Sequence, residues 1–144
     1  MDRDGLTARV DAGYRAMRDG DVEPALALFG DDVVMHVTGD HPFAGDYHGK
    51  DAVRAYLADT AAVAGAGVFT VTSVMVDDDR SEVLVEGTAV DGVDGVDGEG
   101  APFVRTVVHR LRFVDDAIVE MWRYPFDAGA EDRFWRRAAG PGPA

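Results

Sequence analysis

The chain has 144 residues, no cysteine, and 27 acidic against 14 basic residues, which gives a formal net charge of -13. This length fits one domain with its own core. The absence of cysteine excludes disulfides, thiolate nucleophiles and cysteine-ligated zinc. The acidic balance argues against a nucleic-acid or anionic-membrane partner, because phosphate contacts need clustered positive charge. With no apolar leader segment and no run of eighteen apolar residues, the expectation is a cytoplasmic protein without a membrane span.

Three helices are predicted in the N-terminal half of the chain. Apolar residues at helical spacing, Tyr14 among them, indicate the first helix over 7–18. Gly20-Asp21 then ends this helix and leads into a second, short one over 22–29. The third helix follows Gly49, and its apolar stripe includes Tyr56.

Between the second and third helices, the run VVMHV predicts a short strand over 33–37. Alternation puts Met35 and Val37 on one face and His36 on the other. The segment 38–49 is rich in glycine, proline and aspartate and is predicted to be a loop. The side chains of this loop that are candidates for contact with a ligand are Asp40, His41 and Phe43.

The C-terminal half is predicted to be mainly β-sheet. Strands are indicated over 68–76 and 81–90, followed by a long hairpin over 103–124 that turns at Asp115-Asp116. A threefold VDG repeat joins the second of these strands to the hairpin. Its three-residue period does not match a calcium-binding loop, so it is predicted to be a solvated hairpin loop, in part disordered.

His109 lies in the middle of an otherwise mostly apolar strand face. Strict alternation places Arg105, Val107 and His109 together on that face. The imidazole is therefore either a satisfied core group, hydrogen-bonded to Tyr14 or Tyr124, or the polar centre of a pocket. If it lies in the pocket, burial without a nearby carboxylate should lower its pKa below the usual value of about 6.5 and keep it neutral at pH 7, and Glu120 on the neighbouring strand is the one candidate carboxylate.

Two sequence motifs, HVTGDHPFAGDYHGKDAV and VHRLRF followed by DDAIVEMWRYPFD, resemble the SnoaL-like group of the NTF2-like superfamily, which includes polyketide cyclases and many actinobacterial proteins. The resemblance covers roughly residues 7 to 136. It implies an α+β fold: a cone-shaped barrel of three N-terminal helices packed on a curved mixed, mostly antiparallel sheet. A single domain over 1–137 and a disordered tail over 138–144 are expected.

The resemblance also implies an internal pocket, but the acid–base residues of the related enzymes are replaced. Val37 falls at the position of the ketosteroid isomerase base, and His109 at that of its oxyanion-hole aspartate. Tyr124 falls at the catalytic acid of limonene epoxide hydrolase, and Arg123 at the aspartate of SnoaL-type cyclases. Two functions therefore stay open. One is a cofactor-independent cyclase, isomerase, dehydratase or epoxide hydrolase acting on a hydrophobic polyketide- or terpenoid-like compound; the other is a non-catalytic ligand-binding or dimerisation module.

The candidate catalytic residues are His109, Tyr124 and Tyr14. The candidate substrate-binding residues are Met35, Val37, Asp40, His41, Phe43, Tyr56, Phe103, Arg105, Val107 and Trp122. No metal site and no cofactor are expected, since no histidine spacing indicates converging ligands. A homodimer formed through the outer sheet face is expected, because that face carries many β-branched side chains.

Overall fold

A computed structural model describes residues 2–64, 68–91 and 103–139, without the side chains of Ala64, Val68, Asp91 and Phe103. In chain order its elements are α1 (Arg3–Arg18), α2 (Glu23–Leu26), β1 (Phe29–Val37), β2 (Gly45–His48), α3 (Lys50–Ala64), β3 (Val68–Asp77), β4 (Glu82–Asp91), β5 (Phe103–Val114), β6 (Ala117–Pro125) and α4 (Ala128–Ala138). The VDG repeat after Asp91 and the residues after 139 lie outside the described part. None of the described helices is long and apolar enough to cross a membrane.

The described strands form one sheet in the order β2-β1-β6-β5-β4-β3. Neighbouring strands are antiparallel, except β1 and β6, which are parallel. The core lies between one face of this sheet and the helices, where Leu6 and Val10 of α1 pack with Val83 and Val85 of β4. The α+β class with a mixed, mostly antiparallel sheet is therefore confirmed.

The sequence prediction was wrong about the segment around the first strand. The predicted second helix is one turn long, and β1 already begins at Phe29, where it pairs with Ile118 of β6. The predicted loop contains β2, which pairs antiparallel with β1. Such a short strand beginning at a glycine carries little local β signal, and Gly45 has a φ of 138°, which favours glycine. Pairing with β1, a tertiary effect, creates this strand.

A β-bulge at Val119 sets which face each later residue of β6 occupies. Val114 pairs with Ala117 and Phe113 with Ile118, but Arg112 then pairs with Glu120, which leaves Val119 without a partner. From Glu120 onward every side chain is therefore on the face opposite to the one that simple alternation predicts.

The outer sheet face carries a polar cluster around His36 of β1. Its Nδ1 lies 2.7 Å from Asp46 of β2, and its Nε2 lies 2.7 Å from Glu120 of β6. Hydrogen bonds to Glu120 and then Asp46 raise the pKa of His36. The cluster thus joins three adjacent strands at their solvent side. The homodimer through this face stays a prediction.

Gly87 of β4 leaves room for the end of the Phe69 ring, which comes from β3. A Cβ at Gly87 would lie 2.1 Å from Cζ of Phe69. We expect Gly87→Ala to lower the free energy of unfolding by about 1–3 kcal/mol, because the ring must move and crowd its neighbours. Urea unfolding followed by circular dichroism measures this change.

Gly30 of β1 provides the matched control, because a Cβ there would approach its nearest described atom at 3.6 Å, an ordinary contact. Gly30→Ala should therefore leave stability nearly unchanged. Combining Gly87→Ala with Phe69→Leu should recover part of the loss. Equal stability of the wild type and Gly87→Ala would show that Phe69 does not occupy this position.

Candidate functional site

A cavity of about 520 Å³ lies between the helices and the inner face of the sheet. Its wall is mainly aliphatic and aromatic. Lining residues that are exposed at the surface come from the end of α1, from α2 and from α3, so the mouth lies between these helices; they include Arg18, Gly20, Glu23, Arg54 and Ala58. A salt bridge between Glu23 and Arg54 joins α2 to α3 at this mouth.

Tyr14 and His109 form a hydrogen-bonded pair in the cavity wall. The hydroxyl of Tyr14 lies 2.5 Å from Nδ1 of His109. Phe69 fixes the pair from one side, with its ring stacked 5.2 Å from the imidazole and 5.5 Å from the phenol ring. No described residue bonds to Nε2 of His109, so this nitrogen remains for a ligand in the cavity.

The surroundings keep both groups of this pair neutral at pH 7. Burial, and then the charges of Arg123 and Arg105, lower the pKa of His109 to about 3. Burial raises the pKa of Tyr14 well above its ordinary value. The sequence-based prediction of a neutral His109 is therefore confirmed. Glu120 of the neighbouring strand β6 bonds His36 on the other sheet face.

Two arginines and a glutamate form a buried charged cluster beside this pair. Nη1 of Arg105 lies 2.9 Å, and Nη1 of Arg123 2.6 Å, from Oε1 of Glu131, which also accepts a hydrogen bond from Nε1 of Trp135. The side chains of Arg105 and Arg123 are 10% and 8% exposed, and that of Glu131 1%. The arginines hold the pKa of Glu131 below its ordinary value, because they favour the carboxylate against the cost of its burial.

The predicted loop residues pack against α4. Asp40 pairs with Arg136 at 2.7 Å, and the rings of His41 and Phe43 contact Trp135. They are absent from the described lining of the cavity, whereas Trp135 belongs to it. The loop therefore supports one wall from behind.

The cavity brings together part of the predicted site. Six of the predicted residues line it: Tyr14, Met35, Tyr56, Arg105, Val107 and His109. Val37 is buried in the core beside it. The side chain of Phe103 lies outside the described part.

Trp122 and Tyr124 were predicted on the cavity side of β6 and lie on the outer face. Trp122 stacks on His36 there, and Tyr124 is 37% exposed. The bulge at Val119 is the reason, since it places Arg123 and not Trp122 opposite His109. Simple alternation would have put both aromatic side chains in the cavity.

Sequence reasoning did not place Arg123 and Phe69 in the cavity. Arg123 could have been suspected, because the resemblance aligns it with a cyclase aspartate. Phe69 gave no such signal, since the core-facing residues of its strand do not follow a single alternation and the importance of its ring depends on Gly87. As to metals, the described residues contain one group of three carboxylates close enough to share a cation, the exposed Asp77, Asp78 and Asp79.

The comparisons with known proteins agree with this architecture. A family model described as SnoaL-like domain matches residues 10–121. The chain belongs to the SnoaL-like family. None of the functionally curated proteins compared with it matches.

Several solved structures share the fold at low sequence identity. Bal32a, from a soil-derived mobile gene cassette, has a TM-score of 0.81 at 21% identity and covers 91% of this chain and 96% of its own. TerC, co-crystallised with polyporic acid, has a TM-score of 0.76 at 20% identity, with coverages of 90% and 96%. An NTF2-like protein of unknown function from Burkholderia pseudomallei has a TM-score of 0.77 at 20% identity, with the same coverages. The SnoaL-like chain therefore has the NTF2-like fold.

Proposed function

We propose that this SnoaL-like protein is a cofactor-independent enzyme that moves protons on a hydrophobic polyketide- or terpenoid-like compound, in a cyclisation, isomerisation, dehydration or epoxide opening. The observation that carries the proposal is the Tyr14–His109 pair in the wall of an apolar cavity. A buried imidazole bonded to a phenol can donate or accept a proton at a defined place without bulk water.

The pair can work in two tautomeric arrangements. When the Tyr14 hydroxyl donates to Nδ1, the imidazole carries its proton on Nε2 and can donate it to a carbonyl or epoxide oxygen of the ligand. When Nδ1 carries the proton and donates it to Tyr14, Nε2 can accept a proton and the phenol can donate its own. When the pair passes from the first arrangement to the second, Nε2 gives one proton to the ligand and the Tyr14 hydroxyl passes its proton to Nδ1. The Tyr14 oxygen then takes one proton from the ligand.

Family membership supports a small-molecule pocket, and so does TerC, the neighbour that was co-crystallised with polyporic acid. The second candidate is a ligand-binding module without turnover. It is favoured by the scarcity of carboxylates in the cavity: Glu23 is the one carboxylate among the described lining residues, and it pairs with Arg54 at the mouth. The two candidates differ in whether a bound compound is converted.

The experiment compares two tryptophan variants of α3. Ala58 lines the cavity at its mouth, whereas Ala55, also exposed on the same helix, is absent from the described lining. A panel of cyclic ketones, hydroxyketones and epoxides is screened with the wild type, Ala58→Trp and Ala55→Trp, by thermal shift for binding and by mass spectrometry for conversion.

The enzyme proposal predicts conversion of panel members by the wild type and Ala55→Trp, and its loss in Ala58→Trp, because an indole at the mouth obstructs the cavity. Binding without conversion would support the binding module instead. Conversion that persists in Ala58→Trp would place the chemistry outside this cavity.

A further inference from the structure

The wall of the cavity formed by Arg105 and Arg123, here termed the arginine wall, lies beside the proposed reacting group. We infer that the arginine wall binds an acidic group of the ligand, so that the substrates are hydrophobic acids carrying a carboxylate or an acidic enol. This inference rests on the proposed function, since it concerns the same cavity.

The sheet register puts the arginine wall within reach of a ligand that also contacts His109. Arg123 is the direct cross-strand partner of His109, at a spacing of about 5 Å between Cα atoms. Arg105 lies on the same face of β5, beyond Val107, and both arginines line the cavity. A fused-ring acid can therefore place its anionic group on the wall and its ring beside the imidazole.

The chemistry of the wall fits an anion better than a neutral polar group. A guanidinium stays protonated and offers five N–H donors in a plane that matches a carboxylate. Both arginines contact Glu131 through Nη1 and on the same oxygen. The cluster of Arg105, Arg123 and Glu131 carries two positive charges and one negative charge, so a ligand carboxylate in the cavity adds the second negative charge. In an apolar cavity, charge-assisted contacts between a guanidinium and a carboxylate are stronger than neutral ones.

The field of the wall reaches the imidazole, because the charges of Arg123 and Arg105 contribute to the low pKa of His109 even with Glu131 present. An anion bound at the wall offsets these charges and raises that pKa toward the range of an effective base. Binding of an acid would therefore prepare His109 for proton transfer. Outside the arginine wall, the cavity lining supplies apolar and aromatic surface for the body of the ligand, from Phe69, Leu111 and Trp135.

The experiment uses two probes of matched shape, 2-naphthoate and 2-naphthamide, and measures their dissociation constants by isothermal titration calorimetry at pH 7. The wild type should bind the acid at least about tenfold more tightly than the amide. Arg105→Gln should remove this preference. Arg15→Gln, which removes an exposed arginine of α1 that is absent from the described lining of the cavity, should keep it.

Arg105→Lys, which keeps the positive charge beside Glu131, should retain part of the preference even if Arg105→Gln unfolds. Equal affinity of the wild type for acid and amide would overturn the acid assignment and leave the proposed enzyme intact. Preference for the acid without conversion of any compound would support the arginine wall and contradict the proposed function. Failure of both probes to bind would overturn both.

Discussion

Replacing His109 with glutamine is expected to reduce turnover of a converted substrate about 10²–10⁴-fold, which is the usual contribution of a positioned acid or base. Glutamine keeps similar size and can still bond the Tyr14 hydroxyl, but it cannot exchange a proton at the position of Nε2. The loss should therefore fall on kcat, with little change in KM. Steady-state kinetics, with circular dichroism to confirm folding, measure this effect.

Two further variants locate the effect in the Tyr14–His109 pair. Tyr14→Phe should also reduce turnover about 10²–10⁴-fold, because it removes the hydroxyl proton that the pair exchanges with the ligand. His48→Gln, at an exposed histidine of β2, should have no effect.

The pH dependence tests the same imidazole. Because the pKa of His109 in the ligand-free enzyme is lowered to about 3, kcat/KM should not fall as the pH is reduced from 8 toward 6. A step in kcat/KM near pH 6.5 would contradict the buried, neutral imidazole.

Glu131→Gln is expected to lower the free energy of unfolding by about 3–5 kcal/mol, because it leaves two buried arginines without the carboxylate that they share. The amide oxygen can still accept the hydrogen bond of Trp135. The substitution therefore removes the negative charge and keeps this hydrogen bond. Urea denaturation at pH 7 measures the loss.

The control is Asp11→Asn, which removes the charge of the exposed Asp11–Arg15 pair of α1 and should cost less than about 1 kcal/mol. The effect of Glu131→Gln should also depend on pH in a defined direction. Folding lowers the pKa of Glu131, so its contribution is complete above the unfolded value of about 4.3 and is lost as the pH falls toward the folded pKa. The two proteins should therefore converge in acid, and a difference that grows below pH 4 would contradict this account.

The sequence was most informative where local pattern and tertiary structure coincide. The alternation of β5 placed Arg105, Val107 and His109 on the inner face, and the structure puts all three in the cavity wall. The helical spacing of α1 made Tyr14 a candidate partner of the imidazole, and the hydrogen bond is present.

Where the prediction failed, a non-local contact decided the outcome. The sequence of β6 does not show that Val119 is an extra, unpaired residue, because the apolar residues of this strand fit either register. Glu131 was not considered because a glutamate on a helix is ordinarily exposed. Its burial depends on Arg105 and Arg123, which arrive from two different strands.

The bulge at Val119 also bears on how such a cavity can diversify. Absorbing Val119 into the ladder, by a one-residue slip of the later part of β6 against β5, would restore simple alternation. Met121 and Arg123 would then leave the cavity, and Trp122 and Tyr124 would enter it, without any change in their identities. One strand sequence therefore encodes two alternative sets of lining side chains, one cationic and one aromatic. Deleting Val119, by contrast, removes the extra residue and keeps Met121 and Arg123 on the cavity side, so a slip in register, and not the loss of a codon, is the short evolutionary route between ligands of different charge.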